Sequence, residues 1–184
     1  MSEPAPASAG RRILFVLVAS AAYATSGPLA RLAAPAHPFA IAFGRVALAA
    51  VLLALVDMRA TWAAIRGLRA RARIGVALAG TILALHFGLF TWGLTETSLP
   101  AALSLVSLEP LAVVLVAWAA HGIRPRRLEV VGVVLATAGA VLVARGAGQG
   151  EHRAFGDGIV LASVALYGVY VAAARKLRDV VPAR

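Results

Sequence analysis

Long apolar runs alternate with short arginine-rich segments along almost the whole chain. The runs lie at residues 13–34, 38–56, 74–94, 98–120, 128–144 and 158–174. A helix needs about 20 apolar residues to cross a lipid bilayer. Only helices and closed barrels satisfy their backbone hydrogen bonds in lipid, and these runs are too long and too continuously apolar for barrel strands. The pattern therefore predicts an all-α polytopic membrane protein with about six transmembrane helices.

The first run has two interpretations. Arg11 and Arg12 precede it and residues 22–24 resemble a cleavage site, which together outline a signal peptide. The alternative is an uncleaved span that Gly27 and Pro28 interrupt, because the apolar pattern resumes after them. We favour the span, because a copy of it recurs later in the chain, where no signal peptide can lie.

Composition supports a membrane protein. Hydrophobic residues make up 61% of the 184 residues, against about 45–50% in soluble domains. The net charge of +10 would suggest nucleic acid as the partner of a soluble protein, but here the basic residues lie between apolar runs. Such residues act as topology signals and contact lipid headgroups, so we expect membrane lipids as partners and no nucleic acid. The chain has no cysteine, which excludes a thiolate metal site, and we expect neither a metal ion nor a cofactor.

The placement of the basic residues predicts the orientation. With the N-terminus inside, 14 of the 18 lysines and arginines lie in inside segments and 2 lie in outside loops. Cytoplasmic loops carry such an excess. We therefore expect a cytoplasmic tail at residues 1–12, a five-helix unit at 13–145, a periplasmic loop at 146–157, and a further helix with a cytoplasmic end at 158–184. The abundance of alanine and arginine indicates a GC-rich bacterial genome.

An internal repeat relates the first and sixth runs. At an offset of 144 positions, 7 of the 23 residues from 16 to 38 are identical to their counterparts, among them Tyr23 with Tyr167 and Arg31 with Arg175. The start of the sixth span lies five spans after the start of the first, so the two copies have opposite orientations, as in many secondary transporters. If a second five-helix unit begins here, four more spans would follow residue 184, and the chain would be the front of a longer protein or a truncated product.

An acid lies near the middle of the fourth run. A charge at that depth persists mostly where it faces a protein interior or a watery path. Pro110, which follows Glu109, removes the helical hydrogen bond to the carbonyl of Val106. A charge and a broken helix at one depth predict a solute site, where Glu109 could exchange protons or hold an ammonium group. The alternative is a structural acceptor that ties the fourth span to a neighbouring one.

Four further side chains are candidates for solute binding or coupling. Arg45 lies about 10 Å of helical rise below the start of its span; it could bind a carboxylate, pair with Glu109, or extend to the surface. His86 could relay protons or make an interhelical hydrogen bond. Tyr23 and Tyr167, paired by the repeat, could line a cavity or simply pack.

Small residues that recur on the fifth span allow close helix packing; they are Gly132, Ala136 and Ala140.

These features in this order resemble the EamA-type branch of the drug/metabolite transporter superfamily. The resemblance rests on the segment YATSGP followed by Arg45, on the small-residue fourth span with Pro110, on the Gly-rich fifth span, and on ALYGVYVAAARKLRD as the opening of a second repeat. It covers nearly the whole chain after residue 12. It implies an inner-membrane carrier, not an enzyme, that exports amino acids, related metabolites or drugs by alternating access. The chain departs from the family at Gly122-Ile123, where Gly-Glu is frequent, and members usually have ten spans.

Three other hypotheses remain at this stage. A short chain could form a homodimer to complete its fold, as small multidrug exporters do, although the arginine bias opposes dual insertion. An intramembrane hydrolase could use His86 with Ser104 or Ser107, but no nucleophile motif surrounds either serine. The chain could also be a non-transporting membrane fragment or scaffold that needs the missing helices or a partner.

Overall fold

The computed structural model describes residues 9–146 and 153–178, and the regular structure in these ranges is entirely α-helical. The prediction of an all-α protein is confirmed. The helices are α1 (Ala9–Leu32), α2 (Pro38–Val56), α3 (Met58–Gly67), α4 (Ala70–Glu96), α5 (Leu99–Val106), α6 (Glu109–His121), α7 (Arg127–Gly146) and α8 (Ala154–Arg178).

Five segments of the described ranges are long and apolar enough to cross a membrane. They are Ile13–Leu32, Pro38–Val56, Ala70–Glu96, Leu99–Ala120 and Ala154–Leu177, and they correspond to the first, second, third, fourth and sixth predicted spans. The predicted fifth span coincides with α7, whose 20 residues reach about 30 Å at the helical rise. Because α7 is not among the five segments, its passage across the membrane stays a prediction.

The expected interruption of the first span is wrong. α1 continues as one helix through Gly27 and Pro28 and ends at Leu32. Membrane helices tolerate proline when their neighbours satisfy the freed backbone groups. Gly27 is buried because α5 lies close to it, and a Cβ there would be 3.2 Å from Cδ2 of Leu103. The glycine therefore serves helix packing at this position.

The fourth span is divided where the sequence places Pro110. α5 ends at Val106 and α6 begins at Glu109. Between them the chain tightens, because the N–H of Leu108 donates to the carbonyl of Leu105 at 3.0 Å, a spacing typical of a 3₁₀ turn. Pro110 has no N–H to bond the carbonyl of Val106. The division places Glu109 in the first turn of α6.

α8 is the centre of the bundle and packs against α4, α6 and α5. Two glycines permit backbone-close contacts at this centre. A Cβ on Gly156 would lie 2.6 to 2.8 Å from backbone atoms of Glu96 and Thr97, and a Cβ on Gly168 would lie 2.9 Å from the backbone of Ala112. Small residues allow such approaches between membrane helices. The buried apolar cluster around them consists of Ala30, Phe90, Leu94, Ala102, Val106, Val160 and Val164.

Several helix boundaries differ from the sequence prediction, and the starts of α4 and α8 are two examples. α4 begins at Ala70 and α8 at Ala154, each four residues before the predicted span, so part of the expected loop 146–157 is helical. Hydropathy detects only the apolar part of a helix, whereas the first turn of α4 contains two arginines and that of α8 contains Gly156 and Asp157. At the start of α8 the hydroxyl of Thr97 donates to Oδ1 of Asp157 at 2.8 Å, which joins this end to the α4–α5 turn.

Candidate functional site

Four of the predicted side chains meet at the start of α6. The O–H of Tyr23 donates to Oε2 of Glu109 over a long 3.5 Å, and Nε2 of His86 lies 3.7 Å from Oε1. The ring of Tyr167 is centred 5.1 Å from that of His86. α1, α4, α6 and α8 each supply one member. The site therefore joins residues that are up to 144 positions apart in the chain.

His86 occupies a fixed position between α4 and α8. Its side chain is 3% exposed, and Nδ1 lies 2.9 Å from the backbone carbonyl oxygen of Ser163. A carbonyl only accepts hydrogen bonds, so Nδ1 carries the hydrogen and Nε2 faces Glu109. Nε2 and Oε1 attract each other only if one proton lies on the pair, either as imidazolium with carboxylate or as neutral imidazole with carboxylic acid. The arrangement can therefore hold a proton between the two side chains.

Glu109 has one oxygen without a hydrogen-bond partner. Its side chain is 13% exposed. Oε1 is buried and accepts no hydrogen bond from the described residues, although buried polar atoms are nearly always paired. Leaving such an atom unpaired is costly. The unpaired oxygen, which lies 3.7 Å from Nε2 of His86, is therefore an available acceptor for a proton.

Arg45 lies beside this site but does not pair with its acid. The half-buried guanidinium lies 5.3 Å above the ring of Phe87, an arrangement typical of a cation–π contact. Its Nη1 is buried and has no hydrogen-bond partner among the described residues. Phe87 follows His86 in the chain, which places the Arg45 charge near the histidine. Of the three alternatives for Arg45, the pairing with Glu109 is not formed in this structure.

A cavity of about 520 Å³ extends from Glu109 between α6, α7 and α8. Drug-sized ligands occupy pockets of roughly 300 to 1,000 Å³. The cavity and the cluster of side chains at Glu109 share the fourth and sixth predicted spans. The cavity also borders the fifth span, whereas the cluster also includes residues of the first and third. Its lining residues are Glu109, Pro110, Val113, Val114, Ala117, Ile123, Pro125, Glu129, Gly132, Val133, Tyr167, Val171 and Arg175.

Sequence reasoning missed two partners of the site and misjudged a third residue. Ser163 holds His86 through a backbone carbonyl, which no sequence pattern reveals. Phe87 lies under Arg45; an aromatic residue next to the candidate histidine was the available signal. Gly132 was expected to support close helix packing with Ala140. Instead it borders the cavity, whereas Ala140 is buried.

The described residues contain no group of three or more His, Asp or Glu side chains that could hold a metal ion. The two serines of the hydrolase hypothesis do not contact His86. The hydroxyl of Ser104 donates to the carbonyl of Ala101 and that of Ser107 to the carbonyl of Leu103. Neither hydroxyl is arranged as a nucleophile with His86 as its base.

Comparison with known proteins gives one family. Residues 10–145 match the sequence model described as the EamA-like transporter family. Neither the curated proteins nor the solved structures gave a match.

Proposed function

Since the chain belongs to the EamA-like transporter family, we propose that it is a secondary-active transporter that exports small metabolites by alternating access. The family is one of membrane transporters for small solutes, not of enzymes. Amino acids, related compounds and drugs are the proposed solutes. Solute binding is proposed for Glu109, Arg45, His86, Tyr23 and Tyr167.

The observation that carries the proposal is a pair of buried atoms without hydrogen-bond partners, one on an acidic and one on a basic side chain. Oε1 of Glu109 and Nη1 of Arg45 are the two buried side-chain atoms in the described ranges that lack a hydrogen bond. Glu109 contacts His86 and Tyr23, and Arg45 lies over the ring of Phe87, the residue next to His86, so the two residues flank the same region. A solute with an ammonium group and a carboxylate would supply a donor to Glu109 and an acceptor to Arg45, and charge-assisted bonds of this kind are strong.

Coupling to protons is proposed for the contact between His86 and Glu109. The contact is attractive only while the pair holds a proton. A solute ammonium group that binds Glu109 would bring its own positive charge and would replace that proton as the partner of the carboxylate. Competition between a proton and a cationic solute for one carboxylate is a simple means of exchange. The proposed direction is therefore solute outward and proton inward.

The proposed location is the bacterial inner membrane with both ends of the chain in the cytoplasm. The arginine distribution supports this orientation. α3 also supports it, because it is a short exposed helix in the segment predicted inside, and its Arg66 guanidinium lies 5.4 Å from the ring of Trp62. A basic helix with an aromatic residue suits the membrane surface.

The test is transport by Glu109→Gln in proteoliposomes, measured as counterflow of a panel of radiolabelled amino acids and amines. The amide cannot hold a negative charge, so we expect at least a tenfold loss of transport with unchanged insertion. Glu96→Gln is the matched control, because Glu96 accepts a hydrogen bond from Trp92 at 3.2 Å near the end of α4, and it should retain transport within twofold. Normal counterflow by Glu109→Gln would remove this acid from the mechanism.

A second candidate is that the chain transports nothing alone and needs further helices or a partner, such as a second copy. α1 leaves room for such a partner, because it has only small contacts with α4 and α5 and its Val16 and Leu17 are 63% and 62% exposed, on a face that lipid or another helix can cover. Cysteine crosslinking along α1 in native membranes would test it. Crosslinks between two copies would support a homodimer, whereas transport by a chain that never crosslinks would contradict the need for a second copy.

A further inference from the structure

The cavity between α6, α7 and α8 has one buried acidic end and one exposed end. Its inner end is formed by Glu109 and Tyr167. From Glu109 to Ala117, eight residues along one helix, the axial distance is about 12 Å. The other end lies at Glu129 and Arg175, whose side chains are exposed. The cavity therefore leads from the buried carboxyl group to the end of the bundle that the arginine bias predicts inside.

The wall between the two ends is apolar and arises from helical spacing. On α6 the lining positions are 109, 110, 113, 114 and 117, which repeat every fourth residue, and on α8 Tyr167, Val171 and Arg175 also recur every fourth residue. Such positions share one helix face. The side chains of this wall are mainly those of valine, with alanine, isoleucine and proline. A ligand that fills the wall would be apolar, with one charged group at the inner end.

We propose that this cavity takes the apolar part of an amphipathic amine whose ammonium group binds Glu109, and that Gly132 limits the size of that apolar part. The inference rests on the proposed function, because it places the solute at Glu109. An ammonium group has three donors and no acceptor, which suits a carboxylate, and Glu109 is the acidic residue that lines the inner end of the cavity. The volume of about 520 Å³ exceeds the needs of a small hydrophilic metabolite.

Gly132 is the position where this size limit can be changed without disturbing the fold. It lines the cavity, and a Cβ added to it would meet no atom within 4 Å. A larger side chain there would extend into the cavity instead of pressing on a helix backbone. Gly139 is the matched control, because it lies two turns further along α7, has the same open space at its Cβ, and does not line the cavity.

The experiment measures dissociation constants of propylamine, hexylamine and hexanol by calorimetry, with the full chain in lipid nanodiscs and empty nanodiscs as the blank. Burial of each added methylene group strengthens binding about fourfold. We therefore expect hexylamine to bind about fiftyfold more tightly than propylamine, and more tightly than hexanol. Gly132→Leu should weaken hexylamine binding at least tenfold and leave propylamine within twofold. Gly139→Leu should bind all three like the unmodified chain.

Three results would overturn the inference. The first is hexylamine binding by Gly132→Leu that equals that of Gly139→Leu, which would place the alkyl chain elsewhere. The second is hexanol binding as tight as that of hexylamine, which would indicate an apolar site for lipid chains. The third is equal binding of propylamine and hexylamine to the unmodified chain.

Failure of this inference and failure of the proposed function are distinguishable. Counterflow that Glu109→Gln abolishes, together with no size effect at Gly132, would keep the transporter and reject the cavity as its binding compartment. A size effect at Gly132 with normal counterflow by Glu109→Gln would keep the cavity and reject the acid as the coupling group.

Discussion

α1 and α8 carry similar residues in the same order but lie in different surroundings. Val16 in α1 is 63% exposed, whereas its repeat counterpart Val160 in α8 is 0% exposed. α8 packs against α4, α5 and α6, whereas α1 has only small contacts with α4 and α5. The two helices also differ at the position where α8 packs closely against the backbone of α6. α8 has Gly168 there, and α1 has Ala24 at the corresponding position.

The difference shows that a helical sequence pattern does not determine how much of a helix is buried. Apolar side chains gain little free energy when they move from contact with lipid to contact with protein, so close packing decides which helix face contacts protein. Gly168 allows the backbone of Ala112 within 2.9 Å of the place where a Cβ would lie. Ala24, at the same repeat position, is exposed and needs no such space.

The largest expected effect is that of Gly168→Leu. Its side chain would collide with the backbone of Ala112, which cannot move like a flexible side chain. Overpacking costs typically about 1–3 kcal/mol, and we expect the upper end of this range or failure to fold. Ala24→Leu at the paired position should change the free energy of unfolding by less than about 0.5 kcal/mol. Unfolding in detergent, followed by circular dichroism, measures both.

A smaller variant keeps this comparison informative if Gly168→Leu does not fold. Gly168→Ala should lower the free energy of unfolding by about 1 kcal/mol through the same contact. Equal stability of Gly168→Ala and the unmodified chain would contradict the close approach of α6 to α8.

A medium effect is expected for Val160→Ala. This side chain is fully buried, and a Cβ on Gly93 would lie 2.5 Å from its Cγ2. Truncation of this side chain leaves a cavity and loses packing contacts, which should lower the free energy of unfolding by about 1–2 kcal/mol. Val16→Ala should leave the free energy of unfolding within about 0.5 kcal/mol of the original. Equal losses for the two variants would show that α1 is packed as tightly as α8 in the membrane.

The smallest effect is expected for the two tyrosines. Tyr23→Phe removes a long hydrogen bond to Glu109, and interhelical hydrogen bonds in membranes average about 0.6 kcal/mol. Transport should fall about threefold. Tyr167→Phe keeps the ring beside His86, which is the part of this side chain proposed to line the site, and should lower transport less than twofold. Counterflow assays on both variants measure the difference, and a larger loss for Tyr167→Phe would contradict the assigned contacts.

Local features of the sequence predicted the spans and the division at Pro110, because hydropathy and the missing proline N–H act within a few residues. Pro28 shows the limit of that reasoning. Both prolines lack the same donor, yet α1 stays continuous while the fourth span divides. The outcome depends on the neighbouring helices that satisfy the freed backbone groups, and the sequence around each proline does not specify those neighbours.

The sequence alone determined that this protein is a helical membrane protein, approximately where its helices lie, and that one acid lies near the middle of the fourth apolar run. Length and apolar composition suffice for this, since each span satisfies its own backbone hydrogen bonds. Only the tertiary structure decided that Tyr23, His86 and Tyr167 meet at Glu109 and that a cavity opens beside Gly132. Both depend on which helix faces touch, and that choice is made by close packing between segments far apart in the chain.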